Sequence, residues 1–125
     1  ALKLQETCLV LAQPYSSADF RHGPIALVEP GFPIVLVAPS GAVFPDLAAL
    51  TEDLAAREAA LAIVSDDPAL LARADLPLPL PPAVPEWLSP LVAVVPGQLL
   101  ALALARARGL DPDRPRGLAK VTRTV

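Results

Sequence analysis

The sequence predicts an α/β domain, a three-layer sandwich in which a parallel sheet carries helices on both faces. Three observations predict it. Pro33-Ile34-Val35-Leu36-Val37-Ala38, bounded by Pro and Gly, and the run Ala60–Val64 read as buried strands of the parallel type. Between them, Leu47, Leu50 and Leu54 recur at the spacing of one helix face. Strands and helices then alternate, an order that right-handed crossovers turn into a parallel sheet.

Each element follows in order. Residues 1–13 read as a helix, with Leu2, Leu4, Cys8, Leu9, Leu11 and Ala12 on an apolar side and Lys3, Glu6, Thr7, Val10 and Gln13 opposite, ended by Pro14. It starts without a cap, already inside its periodic pattern, which is expected of a helix cut from a longer one. Residues 15–31 form a loop with one helical turn around Ser17–Phe20, closed by Pro30-Gly31. The stretch from Tyr15 to Ile25 lacks apolar periodicity, so it is expected to pack on a partner surface rather than in its own core. Phe44–Ala56 is a helix and Asp67–Ala74 a short one, capped by Asp66 or Asp67. Leu76–Leu80 alternates Leu with Pro, which confines it to a sheet edge. After a Pro-rich loop over 81–85, the stretch Trp87–Ala107 is a helix broken or kinked near Pro96, with Gly109 as its C-terminal cap. Leu110 to Val125 is charged, Pro-containing and irregular.

Composition narrows the function. The 125 residues make one domain at most. A chain that is 54% hydrophobic and 18% charged is not a disordered segment, and its net charge of −3 argues against nonspecific nucleic-acid binding. The single cysteine, Cys8, has no internal disulfide partner and no metal-ligand spacing around it, which fits a reducing, cytoplasmic setting. No secretory signal is visible. The apolar run Trp87–Ala105 is interrupted by Pro90 and Pro96-Gly97, so a helix buried among neighbours all round is expected rather than a membrane span.

The residues that could carry chemistry are few. His22 is the only histidine, and imidazole suits proton transfer near neutral pH, although a lone His in a Pro/Gly loop is more often a surface or capping residue. Lys3 and Glu6 stand one turn apart on a helix, where an ordinary exposed ion pair is the common outcome. Lys120 lies near the end of the chain, where lysines are usually just solvated. Asp66, Asp67, Asp111 and Asp113 have no metal-ligand companions, and Gly31 and Gly41 form no phosphate-cradling pattern. No metal and no cofactor is expected.

Three blocks change the weight of these residues. Ala1-Leu2-Lys3-Leu4-Gln5-Glu6-Thr7, the loop Ser16-Ser17-Ala18-Asp19-Phe20-Arg21-His22-Gly23-Pro24, and Pro115-Arg116-Gly117-Leu118-Ala119-Lys120 occur in this order across nearly the whole chain. Together they resemble the C-terminal half of a phosphosugar-isomerase (SIS) domain of the glucosamine-6-phosphate synthase type. The resemblance implies a flavodoxin-like sandwich, here incomplete at its N-terminus, with a C-terminal half-domain over 1–109 and an active-site tail over 110–125. It implies that Glu6 is the base moving a proton between C1 and C2 of a sugar phosphate, with Lys3 beside it binding substrate. His22 would open the sugar ring across a homodimer interface. Lys120 would form a Schiff base with the open-chain carbonyl, and Ala119 would offer its backbone to the substrate. The implied reaction interconverts fructose 6-phosphate and glucosamine 6-phosphate, with no nucleic acid or membrane partner.

The chain departs from the family at Leu11-Ala12-Gln13-Pro14-Tyr15, where Gln13 stands in place of a frequent carboxylate. Its His22 loop resembles that of stand-alone relatives, including SIS-type glucosamine-6-phosphate deaminases. Synthesis and deamination therefore both stay open, as does a non-catalytic sugar-phosphate sensor, which would need neither base, ring opener nor amine.

Overall fold

The computed structural model describes residues 1–118. It is an α/β structure with ten short elements: α1 (Leu2–Cys8), α2 (Ser17–Arg21), a 3-10 turn (Pro24–Leu27), β1 (Pro33–Val37), α3 (Phe44–Ala55), β2 (Ala60–Ser65), α4 (Pro68–Leu71), β3 (Leu76–Pro79), a second 3-10 turn (Glu86–Leu88) and α5 (Ser89–Ala107). The strands form a parallel sheet in the order β1-β2-β3. Leu36 pairs with Ile63 and Val64 with Leu78. The Pro-containing β3 lies at an edge, as its missing amide donors require.

By compactness the chain divides into two units, Tyr15–Pro96 and Ala1–Pro14 with the residues from Gly97 onward. In Tyr15–Pro96, Leu36, Leu61 and Ile63 on one sheet face pack with Leu50 and Leu54 of α3 and Leu70 of α4. Burying these side chains is worth about 1.5–3 kcal/mol each, the main driving force of this unit. On the other face Val64, Leu78 and Leu80 meet Val92 and Ala93 of α5, while Val35 and Val37 stay half exposed. Asp67 caps α4 by accepting a hydrogen bond from the Leu70 amide at 2.7 Å. The second unit has a small core of Cys8, Ala101 and Ala105, with Leu4, Val10, Leu104 and Leu110 around it.

Four expectations need correction. The first helix stops at Cys8, because Leu9 turns left-handed (φ 54°) and the Val10 amide reaches back to the Leu4 carbonyl at 3.3 Å. Of its anticipated apolar side, Cys8 is buried and Leu4 packs beside it, but Leu2 and Leu9 are exposed and Leu11 is 92% exposed. Next, α5 runs unbroken through Pro96, which forfeits one interior hydrogen bond without ending the helix. Nor is α5 covered all round. Ala93, Ala101 and Ala105 are buried, but Trp87, just before the helix, is 79% exposed and Leu91 is 69% exposed. The stretch Glu86–Ala107 is long and apolar enough to cross a membrane by length and composition alone. Lastly, the segment after Tyr15 does pack on its own core, through Phe20 and Ile25.

Candidate functional site

Glu6 and Lys3 sit on α1, three residues apart, so one helical turn brings them to the same side. The Lys3 ammonium donates to Glu6 Oε2 at 2.9 Å, with Lys3 largely exposed and Glu6 mostly covered. Cys8, on the buried side, directs its thiol to the Ala101 carbonyl at 3.1 Å and anchors the helix. Glu6 and Thr7 border a cavity of about 70 Å³ whose other wall includes Asp111, Arg114 and Arg116. The cavity is thus bordered by carboxylates (Glu6, Asp111) and by arginines (Arg114, Arg116), a polar lining that a charged small molecule could meet. Arg114 and Arg116 were not singled out from the sequence. Nothing in their spacing marks them as neighbours of a residue more than a hundred positions earlier.

His22 lies in the other compact unit, at the C-terminal cap of α2, with its side chain exposed. Its Nδ1 is 2.6 Å from the Ala18 carbonyl oxygen. A carbonyl can only accept, so Nδ1 carries the hydrogen and the lone pair of the neutral ring is on Nε2. Ser16 caps α2 by accepting from the Asp19 amide at 3.1 Å. Arg21 binds Asp46 of α3, and hydrogen bonds from Ser17 and Arg21 hold the Asp46 carboxyl below its ordinary value.

The strand ends in Tyr15–Pro96, where α/β sheets commonly bind anions, are filled by the protein's own carboxylates. The Ser40 amide donates to Asp66 Oδ1 at 2.7 Å, and the Ala42 amide to Glu86 Oε1 at 2.8 Å. Burial pushes Asp66 up, but hydrogen bonds from Ser40 outweigh it and hold the carboxyl below its ordinary value. A Cβ at position 41 would stand 2.5 Å from Glu86 Oε1, so a larger residue there would push this carboxylate off the Ala42 amide. The crevice left beside Ser40 and Asp66 is about 10 Å³, room for one water.

The structure thus brings together Lys3 and Glu6 on α1 and places His22 at the end of α2. Ala119 and Lys120 lie outside the described residues.

No family model matches the chain. It is 46% identical over 120 residues to glutamine–fructose-6-phosphate aminotransferase [isomerizing] of Thermococcus kodakarensis, an alignment covering 96% of this chain and 20% of that protein. The protein of the same name from Gloeobacter violaceus is 43% identical over 122 residues, with the same coverage of both chains. The chain therefore spans about a fifth of the length of these relatives. Among solved structures, the C-terminal domain of glucosamine-fructose-6-phosphate aminotransferase from Francisella tularensis superposes with a TM-score of 0.76 at 31% identity, over 91% of this chain and 32% of that one. A glucosamine-6-phosphate deaminase from Thermotoga maritima gives a TM-score of 0.73 at 30% identity, over 96% and 34%.

Proposed function

We infer that this chain, which belongs to the phosphosugar-isomerase (SIS) family and is related to the glutamine–fructose-6-phosphate aminotransferases, supplies the isomerase chemistry of an enzyme interconverting fructose 6-phosphate and glucosamine 6-phosphate. In this reading His22 opens the sugar ring. Lys120 condenses with the C2 carbonyl, releasing water, and ammonia then displaces the lysine to leave a ketimine. Glu6 removes a proton from C1, and the electrons shift through the new C1–C2 double bond onto the imine nitrogen, which takes up a proton to give an enolamine; the same carboxyl then returns its proton to C2 while the C1 hydroxyl gives up its own, leaving the amino aldose. Lys3 steadies the charge on Glu6 or on the substrate, and the Ala119 backbone contacts the sugar. Residues 110–125 act as the active-site tail of a half-domain spanning 1–109. The working unit is a cytoplasmic homodimer in which His22 serves the partner's site.

The observation that carries this reading is the Lys3–Glu6 pair beside a cavity whose other wall is the segment leading into Leu118-Ala119-Lys120. Net proton transfer between adjacent carbons is served by one carboxylate within reach of both, and Glu6 borders this cavity with the Lys3 ammonium beside it. A second reading, deamination toward fructose 6-phosphate, draws on the similarity to the Thermotoga deaminase. The test is incubation of the full-length protein with glucosamine 6-phosphate in deuterated water. Deuterium at C2 is the expected result. Tight binding without exchange would replace the enzyme with a sugar-phosphate sensor. Net release of ammonia in the absence of glutamine would favour the deaminase.

A further inference from the structure

The Arg21 contacts assign this residue a part that the proposed mechanism leaves unfilled, the orientation of His22; the inference rests on reading His22 as the ring-opening group. His22 is exposed, so packing does not fix its ring. The one contact that does is the hydrogen bond from Nδ1 to the Ala18 carbonyl, 2.6 Å long and internal to the end of α2. That bond selects the tautomer with its lone pair on Nε2, the opposite of the form a free imidazole prefers in water. Its persistence depends on α2, which has only five residues and is far too short to hold its shape unaided.

Phe20 packs that short helix on the core, and two polar devices pin its ends. Ser16 secures its beginning. Arg21 secures its end, with Nη1 bonded to Asp46 Oδ1, Nη2 donating to the Asp46 carbonyl at 3.3 Å, and Nη2 facing Asp53 Oδ2 at 3.7 Å. Asp46 and Asp53 are seven residues apart on α3, two turns along one face, so the guanidinium bridges a length of a twelve-residue helix whose other side is anchored in the core by Leu50, Thr51 and Leu54. A planar fork with five donors can meet a carboxylate, a carbonyl and a second carboxylate together, which a lysine ammonium cannot. We propose that Arg21 is a positioning residue that fixes α2 against α3 and thereby holds His22 in the Nδ1–H tautomer, with Nε2 aimed outward for proton transfer. The signal is invisible in sequence, because 25 residues separate Arg21 from Asp46.

The test uses the full-length protein with Arg21→Ala, Arg21→Lys and Asp46→Asn. Ring-nitrogen NMR in alkaline buffer, with the His22 signals assigned by their loss in His22→Ala, reports the tautomer. Solvent exchange at C2 of glucosamine 6-phosphate reports turnover. Wild type is expected to show a protonated Nδ1, Arg21→Ala to shift toward protonated Nε2, and the lysine variant to fall between. With the ring misoriented, kcat should drop about tenfold while KM stays within about twofold. An unchanged Nδ1–H signature in Arg21→Ala overturns the proposal. A changed signature with unchanged exchange upholds Arg21 as the positioning residue and removes His22 from the reaction. Should Arg21→Ala not fold, the same two readouts on Arg21→Lys and Asp46→Asn decide, and wild-type values in both overturn it.

Discussion

Tyr15–Pro96 and the unit of Ala1–Pro14 with the residues from Gly97 onward are built in different ways. The former is one continuous stretch with a nine-residue buried cluster around β1, β2 and α3. The latter joins two distant stretches of chain, and among the described residues its buried centre is Cys8, Ala101 and Ala105. The candidate chemistry is divided between them, with His22 in the thick-cored unit and Glu6 with its cavity in the thin-cored one. A thin core goes with a low local opening free energy, so under the proposed mechanism the base would sit in the unit that opens more readily. A histidine that must hold one tautomer gains from the sturdier scaffold.

The largest expected effect breaks the chemistry in the thin unit alone. Glu6→Gln keeps the side-chain shape but cannot take the C1 proton, so C2 exchange should fall about a thousandfold while sugar-phosphate affinity changes only a few-fold. Wild-type exchange in this variant would remove Glu6 from the mechanism. Next, the division itself can be used. If His22 serves a partner's site, mixing inactive His22→Ala and Glu6→Gln subunits at equal ratio should restore about a quarter of the sites, since half the dimers are mixed and each gains one intact site. No recovery despite demonstrated subunit exchange would place both residues within one chain.

A smaller effect compares the cores directly. Leu54→Ala in the fully buried α3 position should cost about 3 kcal/mol, and Cys8→Ala about 1 kcal/mol. Hydrogen exchange followed by mass spectrometry should show Leu54→Ala loosening peptides within 15–96 and Cys8→Ala loosening those of 1–14 and 97–118. If either variant loosens both sets equally, the chain unfolds as one cooperative body. The smallest effect is acid sensitivity. Asp66 is held below its ordinary value of 3.8, so its contribution is present above that pH and lost as the pH falls below it toward the folded value. Asp66→Asn should lower stability near neutrality, converge with wild type in strong acid, and so flatten the profile across that range. A variant as acid-sensitive as wild type would show that the Ser40 contact contributes nothing.

The parallel sheet was legible because its signals are local. Val, Ile and Leu runs bounded by Pro and Gly mark β1 and β2 to within a residue, and alternating proline marks β3 as an edge. The Asp67 cap was legible for the same reason, a short polar side chain just before an apolar turn. Glu6, His22 and Lys120 were legible only through the three sequence blocks together, since Lys–Glu pairs and loop histidines are too common to carry weight alone.

The sequence by itself determined which segments are helices and strands, the parallel sense of the sheet, and the residue types available for proton transfer, because these depend on periodicity and chemistry along a few neighbouring positions. The tertiary structure decided where α1 ends, how much of α5 is covered, which carboxylates occupy the strand-end amides, and what steadies His22. Each of those depends on pairings such as Arg21 with Asp46, Ala42 with Glu86 and Cys8 with Ala101, separated by 25, 44 and 93 residues. No local pattern encodes such contacts, since they form only once the packed core has brought the segments together.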